Sequence, residues 1–225
     1  MVKKISLYGG SGDDGLYGGN GDDILAGGAG DDRLEGGAGY DTYLFNIGDG
    51  VDTIYDAAEN SISNLITFGD GISRDNLTFL RDGNTLTIRY GDAGDEVNIE
   101  GYDPTGEEGT RVFDVVQFSD GSTASLRELA NRAPEAATPA LDDQTATQDQ
   151  PFAFQLPEGS FTDADGDPLV YRAVVSGYDA LPAWLSFDPE TGAFSGTPAN
   201  DDVGSYTVTV NATDTFGASS SLSFA

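Results

Sequence analysis

The chain has 225 residues, with 39 acidic against 10 basic side chains, a formal net charge of −29, no histidine and no cysteine. That charge argues against nucleic acid and anionic membrane surfaces as partners. The missing His and Cys exclude Ser-His-Asp and Cys-His catalysis, zinc-protease motifs and disulfide bracing. The length favours two domains. No apolar run is long enough to span a bilayer, and Lys3-Lys4 has no hydrophobic stretch after it, so the N-terminus does not read as a secretory signal peptide.

From residue 9 the chain reads GGSGDDGLY, GGNGDDILA, GGAGDDRLE and GGAGYDTYL, four contiguous units of nine. Each has Gly at positions one, two and four, Asp at position six (Asp14, Asp23, Asp32, Asp41) and a large apolar residue at position eight (Leu16, Leu25, Leu34, Tyr43). Flexible linkers do not hold Asp and Leu in phase. One apolar residue per unit suits a very short strand with a single inward side chain. An Asp at fixed register stacks carboxylates one above another, which requires a cation between them. Calcium takes 6–8 oxygen ligands, whereas zinc and copper favour the His and Cys that this chain lacks. Such a charge disfavours a compact state without cations, so calcium and folding are expected to be coupled.

These repeats resemble the RTX calcium-binding nonapeptides. The resemblance implies a parallel β-roll with two units per turn, and ions between Asp14 and Asp32 and between Asp23 and Asp41. The turn glycines Gly10, Gly12, Gly19, Gly21, Gly28 and Gly30 belong to the same implied metal sites. A degenerate fifth unit, GDGVDTI with Asp52, is offset by two residues, so that Asp52 faces Asp32. Tyr40 at a fifth position marks the end of the regular roll, and Leu7 keeps the apolar phase upstream.

After residue 51 ordinary strand signals take over, at 65–68, 77–81, 85–89, 97–100 and 112–118, with a hairpin turn at Asp82-Gly83-Asn84. Ser122 or Thr123 is placed to cap a short helix running to about Asn131. Asp70, Asp92, Asp95 and Asp103 read mainly as solvated turn residues. The run FGDGISRDNLTFLRDGNTLTI, ending in VVQFSDG, resembles the segment that follows RTX repeats and closes the roll, a cap that exposed strand edges require.

The sequence thus divides into a β-roll with its cap at 1–131, an Ala/Pro-rich linker at 132–141 and an all-β domain at 142–225. Strands in the last are expected at 152–156, 169–175, 193–196, 206–211 and 219–224, a spacing that suits an antiparallel two-sheet sandwich. FTDADGDPLVY, LPAWLSFDPETGAFSGTP and VGSYTVTVNATDTFG resemble the cadherin-like domains of the dystroglycan type. Trp184 is expected to plug the core. Asp163, Asp165 and Asp167 alternate on a turn and can converge on one hard cation, against the simpler reading of a polar turn. It is no EF-hand, because Pro168 and Val174 stand where Gly and Glu are required. The cadherin-like resemblance adds Asp214, and Asn131 is a weaker candidate for an oxygen locking the two domains together.

The expected function is non-catalytic. It is a calcium-dependent structural module of a secreted bacterial RTX adhesin, exported by the one-step type I route and acting at the cell surface through a glycan or self-association. The alternatives are a calcium-dependent carbohydrate-binding module, with Tyr178 the aromatic candidate, and the non-catalytic part of a secreted RTX enzyme. The closing SSSLSFA reads as a strand in progress, so a fragment of a longer protein is expected.

Overall fold

The computed structural model describes residues 4–56, 64–91, 94–103, 113–138 and 141–225. Two compact units divide the chain, Met1–Ala130 and Asn131–Ala225.

Among the described residues the first unit contains twelve strands: β1 (Ser6–Ser11), β2 (Gly15–Asn20), β3 (Ile24–Ala29), β4 (Arg33–Ala38), β5 (Thr42–Phe45), β6 (Val51–Ile54), β7 (Asn64–Phe68), β8 (Thr78–Asp82), β9 (Thr85–Tyr90), β10 (Asp95–Glu100), β11 (Phe113–Gln117) and β12 (Thr123–Ser125). Successive repeats go alternately to two sheets, ordered β1-β3-β5-β7-β11-β12 and β2-β4-β6-β10-β9-β8. Pairing is parallel through the repeats, with Leu7 opposite Leu25, Leu25 opposite Tyr43, Leu16 opposite Leu34 and Leu34 opposite Ile54. These are the position-eight side chains, and all but the half-buried Leu7 lie in the core. Each such burial is worth about 1.5–3 kcal/mol. This is a parallel β-roll.

Glycine makes the stacking close enough. Gly28 has φ of +98°, and a Cβ there would lie 2.1 Å from the Gly10 carbonyl oxygen on the coil beneath. No residue with a side chain fits that approach.

Beyond β7 antiparallel pairs join, in the β8–β9–β10 meander and between β11 and β12, while β10 and β11 still pair parallel with β6 and β7. Phe45, Phe68, Tyr90 and Phe118 fill this end, with ring centroids 5.4–6.3 Å apart. The expected helix is shorter than the sequence implied. Thr123–Ser125 pairs with β11, and only Leu126–Leu129 (α1) is helical, with Ser125 rather than Ser122 or Thr123 as its cap. Strand pairing at Val115–Gln117 outcompetes local helix signals there. Asp95 is also corrected: it is buried in β10, not a solvated turn residue, because its carboxylate takes the N–H groups of Gly48 at 2.9 Å and Gly50 at 3.1 Å. Asp70 and Asp103 are exposed. Asp92 and Val112 lie outside the described residues.

In the second unit the strands are β13 (Glu135–Ala136), β14 (Phe152–Gln155), β15 (Phe161–Thr162), β16 (Val170–Val175), β17 (Leu185–Asp188), β18 (Ala193–Gly196), β19 (Val208–Thr213) and β20 (Ser219–Phe224). They form antiparallel sheets β14-β18-β17 and β16-β19-β20, with the short pair β13-β15. Phe194, Val208, Val210, Ala212 and Phe224 lie in the core between them. The strand expected at 206–211 begins two residues later, where Val208, Val210 and Ala212 alternate inward. β17 was not foreseen, and β13 lies inside the stretch read as linker. Trp184 is half-buried at the margin of this core, edge-on to Phe152 and Tyr206, whereas the fully buried ring is that of Phe194.

Candidate metal centre

The position-six aspartates form two rows along the roll. Asp14 N–H donates to Asp32 Oδ1 at 2.7 Å, and Asp32 N–H to Asp52 Oδ1 at 3.1 Å. In the other row Ile5 N–H donates to Asp23 Oδ1 at 2.8 Å, Asp23 N–H to Asp41 Oδ1 at 2.7 Å, and Asp41 N–H to Asn64 Oδ1 at 2.8 Å. One oxygen of Asp23, Asp32, Asp41 and Asp52 therefore ties down the turn one coil away. The other, Oδ2 of Asp14, Asp23, Asp32, Asp41 and Asp52, is buried with no hydrogen-bond partner.

A buried carboxylate oxygen without a partner is costly. Burial pushes Asp41 up to about 6 and Asp52 up to about 8, although the Asp23 and Asp32 backbone N–H groups pull the other way. Burial also raises Asp49. A column of buried oxygens without donors suits a hard divalent cation, which takes carboxylate and carbonyl oxygen alike.

The first-position glycines, which the sequence reading did not single out, frame this column. A Cβ at Gly9, Gly18, Gly27 or Gly36 would lie 2.7, 2.7, 2.0 or 2.4 Å from Oδ2 of Asp14, Asp23, Asp32 or Asp41. Their recurrence at position one was the available signal. The glycines at positions two and four stack backbone on backbone instead. A Cβ on Gly30 would meet the Gly12 carbonyl oxygen at 2.5 Å, and Gly12 and Gly21 N–H donate to Ala29 and Ala38 at 2.7 Å. Gly10 and Gly19 have room for a Cβ but positive φ, at +107° and +95°. The fifth-position acids are exposed on the outside: Asp13 and Asp31 accept N–H from Asp31 and Val51 on one side of the roll, and Asp22 accepts that of Tyr40 on the other.

In the second unit, carboxylate oxygens of Asp163, Asp165 and Asp167 lie within 4.8 Å of one another. Asp163 Oδ1 accepts the N–H of Asp165 at 2.8 Å and of Asp167 at 3.1 Å, which folds the loop. Asp165 is committed to Arg132, accepting its backbone N–H at 2.7 Å and its guanidinium at 2.9 and 3.1 Å. Asp214 accepts Asn131 Nδ2 at 2.8 Å, and Thr215 donates to Asp167 at 3.3 Å, so the turn carrying Asp214 meets the acidic loop. Asp163 Oδ2 and Asn131 Oδ1 are buried and unpartnered.

Comparison with known proteins accords with this division. Residues 8–43 match the RTX calcium-binding nonapeptide repeat in four copies, and residues 134–225 match a putative Ig domain. The iron-regulated protein FrpA of Neisseria meningitidis serogroup C is 38% identical over 101 residues, covering 43% of this chain and 9% of that protein. The chain therefore spans less than a tenth of this curated relative. An endo-fucoidan hydrolase of glycoside hydrolase family 107 aligns over 66% of this chain and 21% of its own, at 20% identity and a TM-score of 0.35, a likeness that carries no argument. RTX repeats are calcium-binding motifs and their proteins are generally secreted; neither they nor Ig-like domains are catalytic. Among the described residues no helix is long and apolar enough to cross a membrane. The first segment thus carries RTX calcium-binding repeats and the second an Ig-like domain.

Proposed function

We propose that the chain is a calcium-rigidified, non-catalytic module of a secreted bacterial RTX adhesin, exported by the type I route. Asp14, Asp23, Asp32, Asp41 and Asp52 are its roll ligands. The observation that carries this reading is the double row of buried carboxylate oxygens lacking any protein donor. At low calcium, repulsion along the rows keeps the roll open. Outside the cell, calcium fills the rows and its binding energy becomes folding energy. The dystroglycan-type cadherin-like reading of residues 142–225 belongs to this proposal, with a metal held by Asp163, Asp167, Asp214 and Asn131, while Arg132 holds Asp165. The folded module then presents the sandwich to a glycan or to another copy.

Sedimentation velocity on chelator-stripped protein and again in millimolar calcium tests the switch. An expanded form that becomes compact on adding calcium is expected; unchanged sedimentation rejects it. A carbohydrate reading has its own supporting observation, a cavity of about 450 Å³ beside Trp184 and Tyr206 in the second unit. Tyr178, 74% exposed, is a further aromatic face. Calcium-dependent quenching of Trp184 fluorescence by a neutral oligosaccharide would favour it over self-adhesion.

A further inference from the structure

The two rows of acids end differently. In one, Asp14, Asp32 and Asp52 follow one another until β10 brings Val97 opposite Asp52. In the other, Asn64 follows Asp23 and Asp41. Its Oδ1 receives Asp41 N–H at 2.8 Å, as a carboxylate oxygen does at each earlier rung.

The second side-chain atom differs in kind. A carboxylate would offer another acceptor to an ion, but Asn64 offers a donor, and its Nδ2 donates to Asp56 Oδ2 at 3.0 Å. The same Asp56 oxygen receives the Tyr43 hydroxyl, and Asp56 Oδ1 receives Gly37 N–H at 3.3 Å. Tyr43 stands where the other units carry Leu, and its hydroxyl oxygen is fixed by Gly36 N–H at 2.7 Å. Tyr43 and Asn64 are both buried. At this rung the protein's own donors meet the local carboxylate, the task that a cation performs elsewhere in the rows.

We infer that Asn64, together with Tyr43 and Asp56, closes this row to calcium. Ions are shared between Asp14 and Asp32, between Asp32 and Asp52 and between Asp23 and Asp41, and the rung from Asp41 to Asn64 takes none. Asn64 is thus the residue that sets the length of the row. Asn64→Asp replaces a donor by an acceptor beside Asp41 and Asp56, and three neighbouring carboxylates then require an ion.

The inference rests on the calcium reading of the rows, and one experiment separates the two. Calcium bound per chain is counted by equilibrium dialysis on the full chain in saturating calcium, with folding checked by circular dichroism. Asn64→Asp is expected to bind about one ion more than wild type, and Asp23→Asn about one fewer. Tyr43→Phe keeps the ring in the core and removes a donor from Asp56, and is expected to raise the count in the same direction. A rise in either folded variant supports the closure. No rise in both overturns it. If Asp23→Asn leaves the count unchanged, the pairing of acids along the rows is what fails.

Discussion

In Asp23, Asp32 and Asp41 the two carboxylate oxygens have separate tasks. Oδ1 holds the backbone of the neighbouring coil, and Oδ2 is buried with no hydrogen-bond partner. Asp32 lies between Asp14 and Asp52, whereas Asp41 is followed by Asn64. Replacing Asp32 by Ala should therefore raise the calcium midpoint of folding further than replacing Asp23, with a loss of about 2–3 kcal/mol in calcium for a charge-assisted contact. Calcium titrations followed by circular dichroism read both, and equal midpoints would count against shared ions. Protons compete for the same oxygens. Burial holds Asp41 at about 6 and Asp52 at about 8, above the unfolded carboxylate range near 4. Their contribution to the calcium-free roll is fully present below pH ~4 and is lost as pH rises through about 6 and then about 8. In chelator the roll should recover more of its folded circular dichroism signal at pH 5 than at pH 8. In calcium the order should reverse, because the ligands must be deprotonated.

At the scale of the element, each repeat is one strand and one turn, and neither stands without the coil above. Leu34 is fully buried and pairs across to Leu16 and Ile54. Leu34→Ala should cost about 2–5 kcal/mol of the calcium-loaded stability, measured by urea unfolding. Gly28→Ala adds a Cβ 2.1 Å from a backbone oxygen at positive φ, so backbone must move. It should destabilise by at least ~2 kcal/mol while leaving every carboxylate in place. A Gly28→Ala variant as stable as wild type would mean that the coils are not in close contact. The repeats were legible because every unit restates the same phase. The end of the roll was less so: Asp95 and Thr123 carry turn signals, yet distant backbone decides their fate, through Gly48 and Gly50 for one and β11 for the other.

For the whole molecule, the two units balance acidic charge by different means. Among the described residues the rows of the roll meet no basic side chain, while Arg132 places a guanidinium on Asp165 in the second unit. Chelation should therefore unfold the roll and shift the second unit's transition less. Trp184, the sole tryptophan, lies in the second unit and reports on it alone. Far-ultraviolet circular dichroism that changes on chelation while Trp184 emission stays native is the expected result. Simultaneous loss of both signals would place the same calcium dependence in both units.

The nonapeptide phase determined a stack of short strands with one carboxylate and one apolar residue per unit, and its resemblance to RTX repeats supplied the β-roll, the calcium and the pairing of the acids. The alternation of residues 142–225 likewise determined an antiparallel sandwich. Only the tertiary structure decided which oxygens are left for an ion and which the chain itself satisfies. That Asp165 belongs to Arg132, that Asp95 is buried, and that Asn64 stands in line with Asp23 and Asp41 depend on residues 33, 45 and 23 positions apart along the chain. Such contacts leave no local periodicity to read, since they exist only once the coils have closed upon one another.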